Sequence, residues 1–209
     1  MATVTRIFDS HIEAMEAVSD LEAAGIASSD ISIVSNNTEN WHDGHRHGPL
    51  GARDGDGDNE AAEGAGKGAA AGGAVGAGVG VLAGLGMLAV PGLGPVVAAG
   101  WLASTAVGAA VGAAAGGAAG GLLGALKDAG HDDDEAHVYA EGVRRGGSLV
   151  SVRTHDADRG RVETILNNRR GFDALTRGRA YRDAGWSRFD PEAPPYSVED
   201  VQRERLRYR

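Results

Sequence analysis

Val90-Pro91-Gly92-Leu93-Gly94-Pro95-Val96 separates two glycine ladders of fourfold spacing, Gly64, Gly68, Gly72, Gly76, Gly80, Gly84 before it and Gly100, Ser104, Gly108, Gly112, Gly116, Gly120, Gly124 after it. No helix carries a Pro-Gly-Leu-Gly-Pro segment intact. Residues four apart lie on one face of a helix, and a face without side chains lets a second backbone approach closely. The spacing therefore predicts a glycine-zipper helical hairpin over residues 64–127, its arms 68–90 and 96–126 touching along Gly72, Gly76, Gly80, Gly84, Gly108, Gly112, Gly116 and Gly120. After Lys67 the run is uncharged as far as Lys127. Each arm exceeds the ~20 apolar residues that a bilayer requires. The large apolar residues, Val79, Val81, Leu82, Leu85, Met87, Leu88, Val90, Leu93, Val96, Val97, Trp101, Leu102 and Val107, gather around the turn, and the outer parts are mainly Gly and Ala.

Working outward, residues 3–9 have the β-branched and aromatic character of a strand. Asp9 or Ser10 caps a helix whose apolar stripe is Ile12, Met15, Val18 and Leu21, and Gly25 stops it. Residues 31–34 alternate as a second strand. On the far side of the insertion, residues 136–145 read as a helix, 148–153 as a strand and 156–170 as a helix with Val162, Ile165 and Leu166 on its apolar side. A weak strand is expected at 173–177. The fold class expected is thus α+β, a ferredoxin-like split β-α-β domain interrupted by the hairpin. Its first half is 1–35 and its second half 128–177. A His/Asp/Gly-rich linker covers 36–63, and a tail with a short charged helix covers 178–209. In that tail Ser197 and Asp200 form a capping box, and its arginines can meet an acidic neighbour or lipid headgroups. A solvated end is the plainer reading of the tail.

Composition narrows function by exclusion. The chain has 209 residues, of which 34 are glycine and none cysteine, so thiolate chemistry is absent. A formal net charge of −9 argues against a nucleic-acid partner, whose phosphates reward clustered cations. His42, His45 and His47 are weak candidates for a metal, because imidazoles suit divalent ions but this spacing gives no i, i+4 pair. Asp54, Asp56 and Asp58 start like a calcium loop, yet the glycine and closing glutamate such a loop needs are missing. The acidic run 132–135 fits a helix start better than a cation site. There is no Gly-Lys-Ser/Thr phosphate loop and no Gly-x-Ser-x-Gly elbow. No catalytic or cofactor-binding residue is expected, and no small-molecule substrate.

Two stretches, Val4-Thr5-Arg6-Ile7-Phe8-Asp9-Ser10 and Tyr139-Ala140-Glu141-Gly142-Val143-Arg144-Arg145-Gly146-Gly147, together with the strand 149–152, resemble the bacterial general stress protein family, which includes heat- and low-temperature-induced members. The resemblance covers roughly 3–34 and 135–173, and members commonly carry a Gly/Ala-rich insertion between two halves. It implies a stress-associated, non-enzymatic bacterial protein.

Three functional expectations follow from the residues. The first is insertion of the hairpin into a lipid bilayer, with self-association through it and the α+β domain on the cytoplasmic side. The second is a homo-oligomer that buries the hairpins in a shared aqueous core. The third is an α+β module that senses a ligand or metal, with the hairpin as its tether.

Overall fold

A computed structural model describes residues 1–42, 86–90, 92–105 and 117–207. Strands β1 (Ala2–Phe8), β2 (Ile31–Asn36), β3 (Gly86–Val90), β4 (Gly94–Gly100) and β5 (Ser148–Thr154) form one sheet in the order β1-β5-β2-β4-β3, antiparallel at every neighbour. The named helices are α1 (His11–Ala23), α2 (Gly117–Asp128), α3 (Asp133–Arg144), α4 (Arg159–Asn168), α5 (Ala174–Asp183) and α6 (Val198–Arg207), with a helical stretch at 101–105 and a 3-10 turn at Ser28–Asp30. The chain is therefore mixed α and β. Because β1 and β2 both run against β5, they are parallel to each other with β5 between them, and α1 makes the crossover.

Alternation along the strands sorts the core into two faces. Val4, Phe8, Ile31, Ile33, Val150 and Val152 pack with α1 and α4. Ile7, Val34, Leu149, Val96 and Leu93 pack with α2, α3 and α5. Every residue of β2, and all but Arg153 in β5, is buried, as strands covered on both faces must be. Ser10 caps α1, its hydroxyl accepting from the Glu13 amide at 3.2 Å. The buried face of α1 is Ala14, Ala17, Val18 and Leu21, whereas Ile12 of the expected stripe is 58% exposed. The two alanines supply the i, i+3, i+4, i+7 pattern, and their small side chains bring the helix close to the sheet.

The helical hairpin needs correction where the structure describes it. Residues on both sides of Pro91 are strands, paired Val90 to Gly94 and Leu88 to Val96, and β4 continues onto β2 from Val96–Asn36 to Gly100–Ser32. The physical reason lies in the spacing. Positions four apart share a face in a strand as well as in a helix, so a fourfold ladder does not discriminate the two periods. Valines flanking the turn and the open hydrogen-bonding edge of β2 then favour strand. Gly100 has φ +89°, and a β-carbon there would collide with the Ile31 carbonyl, so its glycine serves the approach of β4 to β2. The second ladder is helical at 101–105, around Ser104, and ends in a helix, α2, but the space beside Gly124 is open.

Residues 173–177 are not a strand. The Asp173 carboxylate accepts from the Thr176 amide at 2.6 Å and caps α5, and only Phe172 pairs with β1, exchanging two backbone bonds of 2.9 Å with Ile7. Nor is the tail a solvated end: Phe189 and Val201 are buried, and Pro191 lies against Gly92 at the β3–β4 turn. Ser197 and Asp200 make the reciprocal capping box that opens α6.

Candidate functional site

The stretch 139–147 explains itself in the structure as a packing device. Tyr139 donates its hydroxyl to the Thr5 carbonyl at 2.9 Å, and burial pushes its phenol pKa up, so it stays neutral. Glu141, fully buried, accepts from Arg144 at 2.8 Å and from Arg145 at 2.7 Å. Arg145 reaches on to Glu204 of α6 at 2.6 Å, with its guanidinium 4.2 Å from the Tyr181 ring. Gly142 leaves room for Ile7, since a β-carbon would stand 2.8 Å from it. Gly146 has φ +98° and would otherwise collide with Val201. These residues clamp α3, β1 and α6 together, and the cavity beside them is too small for anything beyond water.

Open space lies elsewhere. β1 is the outermost strand on its side, and beyond the Ile7–Phe172 bridge no described strand pairs with its outer edge. A groove of about 600 Å³ runs along that edge, walled by Glu135 and Tyr139 of α3, Arg159 and Glu163 of α4, and the start of α5. Its floor carries a chain of hydrogen bonds. Ser151 Oγ lies 2.9 Å from Thr5 Oγ1, Thr5 Oγ1 lies 2.7 Å from His131 Nε2, and His131 Nδ1 lies 3.0 Å from Glu135 Oε2. Asp173, at one end of the groove, has its pKa lowered: burial works the other way, but hydrogen bonds from Thr176 prevail.

Hydroxyl, imidazole and carboxylate in that order is the geometry of an activated nucleophile. Here, however, Thr5 is only 1% exposed and its hydroxyl is shared between Ser151 and His131. The chain thus ties the α2–α3 turn to β1. The groove is lined by charges of both signs.

Of the metal candidates only His42 lies among the described residues. His42 lies with its ring 5.6 Å from Trp41 and its backbone bonded to the Asn37 side chain, while His45 and His47 lie outside the described residues. Among the described residues no group of three or more His, Asp or Glu is placed to hold a metal ion. Gly72, Gly76, Gly80, Gly84, Gly108, Gly112 and Gly116 also lie outside them, and Gly120 is in α2. Among the described residues no helix is long and apolar enough to cross a membrane.

Sequence reading missed Thr5, His131, Glu135 and Glu163 as members of one site. Their linear signal is limited to the polar positions Thr3 and Thr5, which alternate with Ala2 and Val4 in β1. Comparison with family models, with curated proteins and with solved structures finds no match to this chain.

Proposed function

We propose that this is a non-enzymatic, stress-associated structural protein that self-associates through the glycine ladders of its insertion. In this reading a ferredoxin-like body, with the Phe172 bridge as its rudimentary fourth strand, carries the ladders between its two halves. The observation that carries the proposal is the burial of Leu93, Val96, Val97 and Leu102, each at most 1% exposed, in the protein's own core. These four of the large apolar residues around the turn are thus already used. What the insertion has left at Gly72 to Gly84 and Gly108 to Gly116 is mainly Gly and Ala, suited to close backbone packing and poor in side chains for lipid. Glycine costs a helix roughly 1 kcal/mol per position relative to alanine, so such ladders need a packing partner. Sister copies supply one. The stress association rests on the resemblance of residues 4–10, 139–147 and 149–152.

A bilayer reading, with the body on the cytoplasmic side, is favoured by the uncharged run from Gly68 to Leu85 alone. Light scattering of the full-length chain separates the two. The proposal expects an assembly larger than a monomer without detergent, which the double variant Gly112→Leu, Gly116→Leu diminishes. An unchanged mass in that variant overturns the ladder contact. Recovery only from detergent-extracted membranes favours the bilayer.

A further inference from the structure

We infer that residues 186–191 form a latch, seated on His137 and released by acid, that ties the C-terminal tail to the β3–β4 turn. Between Trp186 and Tyr196 the chain has neither helix nor strand, and Phe189, 3% exposed, is its one buried side chain. Among the described residues the backbone of 187–193 makes no hydrogen bond to the body. Ala193 bonds to the Asp190 carbonyl and Glu192 to the Asp190 carboxylate, both within the segment. The segment is held instead by Phe189, whose ring lies 6.5 Å from that of His137, and by Arg188, which donates to Asp133 Oδ2 at 2.8 Å. Pro191 completes the tie, its backbone lying against Gly92 where any β-carbon would collide with it.

His137 is where this attachment comes undone. Its Nδ1 is buried without a hydrogen-bond partner, and its Nε2 lies 3.8 Å from Asp133 Oδ2, the oxygen that holds Arg188. The neutral ring fits this site, carrying its proton on Nε2 and leaving only a lone pair at Nδ1. Protonation breaks that fit twice. It creates a charged donor at Nδ1 with no acceptor, and it sets the imidazolium against Arg188 for one carboxylate oxygen. The surrounding elements offer no relief: Lys127 of α2 is already paired with Asp133, and Asp134 of α3 lies 3.8 Å from Arg182 of α5. Burial lowers the His137 pKa, and Arg188 and Lys127 add to it against the pull of Asp133 and Asp134. The docked segment thus binds fewer protons than the released one. Docking is full above the free imidazole value of about 6.5 and is lost as pH falls below it.

The test uses the chain's three phenylalanines, Phe8, Phe172 and Phe189, labelled as 4-fluorophenylalanine in the full-length protein and followed by fluorine NMR. Phe8, fully buried, and Phe172, paired with Ile7, report on the body. Lowering the pH from 7.5 to 5 is expected to move the Phe189 signal to that of a solvent-exposed ring while the other two stay in place. His137→Gln keeps Phe189 at its docked position over the whole range. Arg188→Gln, which leaves the histidine intact, removes both a holding contact and a nearby cation, and moves the midpoint to higher pH. The inference is overturned by a Phe189 signal that ignores pH, by all three signals moving together, or by the same transition in His137→Gln. A midpoint that Arg188→Gln leaves unchanged or lowers overturns it too. The glycine-ladder contact fails on a different result, an unchanged mass when Gly112 and Gly116 are replaced.

Discussion

His137 sits in α3 against Phe189, nearly buried, with Nδ1 lacking a hydrogen-bond partner and Nε2 3.8 Å from Asp133. Burial lowers its pKa, and the nearby Arg188 and Lys127 act in the same sense against the opposing pull of Asp133 and Asp134. A histidine whose pKa is lower folded than unfolded binds fewer protons when folded, so stability is full above the unfolded value near 6.5 and is lost as pH falls below it. His11, stacked on Trp41 at 4.1 Å, is lowered as well, by burial and then by Arg205, and adds to the same slope. Urea midpoints should therefore decrease from pH 7.5 to pH 5, and His137→Gln should flatten part of that decline. An equal slope in wild type and variant would locate the effect elsewhere. Asp133 has its pKa lowered by its hydrogen bond to Lys127, and it acts only at lower pH.

At the scale of elements, the β3–β4 hairpin shows how glycine is used here. Gly100 lets β4 leave the sheet at Ser32 while its backbone passes the Ile31 carbonyl, and Ser32 Oγ donates to Ala99 at 2.8 Å beside it. Gly100→Ala meets both a left-handed φ and a collision, so it should destabilise the fold by more than about 1 kcal/mol, read as a lower urea midpoint. The ladder reading on its own predicts the reverse at this position, because alanine is the better helix former. Helix starts were more legible at Ser10 and in the acidic run 132–135, where Ser10 and Asp132 accept from the amide three residues on; Asp173 makes the same bond where a strand is expected. The Asp173 cap also explains the missing fourth strand, since a capped helix beginning at Ala174 leaves only Phe172 to pair with β1.

Across the whole molecule, the two ends of the chain are fastened to its middle. Arg145 joins α3 to Glu204 of α6, Arg177 of α5 lies 2.7 Å from Asp9 after β1, and Arg205 donates to the Asp9 carbonyl at 2.9 Å and pairs with Glu39. Breaking a buried pair by removing one partner costs roughly 3–5 kcal/mol. Glu204→Ala should therefore cost about 3 kcal/mol in urea unfolding, at the lower end because Glu141 still holds Arg145. Tryptic cleavage within α6 should accelerate in the variant and remain slow in the wild type. A tail docked only at the surface would show neither change.

The alternation of Ile31 to Val34, the stripe of α4 and the caps at Ser10 and Ser197 were legible because each is a local preference expressed in adjacent residues. The mixed α and β character, with β1, α1 and β2 following one another, could also be anticipated from the sequence of elements. Tertiary structure alone decided three things. It turned the apolar residues around Pro91 into strands, because fourfold spacing fits both periods and only the free edge of β2 breaks the tie. It brought the tail into the core, since Val201 meets Gly146 only when α6 crosses α3. And it gathered Thr5, His131, Glu135 and Asp173 along one strand edge, a juxtaposition of residues up to 168 positions apart in the numbering that no linear spacing encodes.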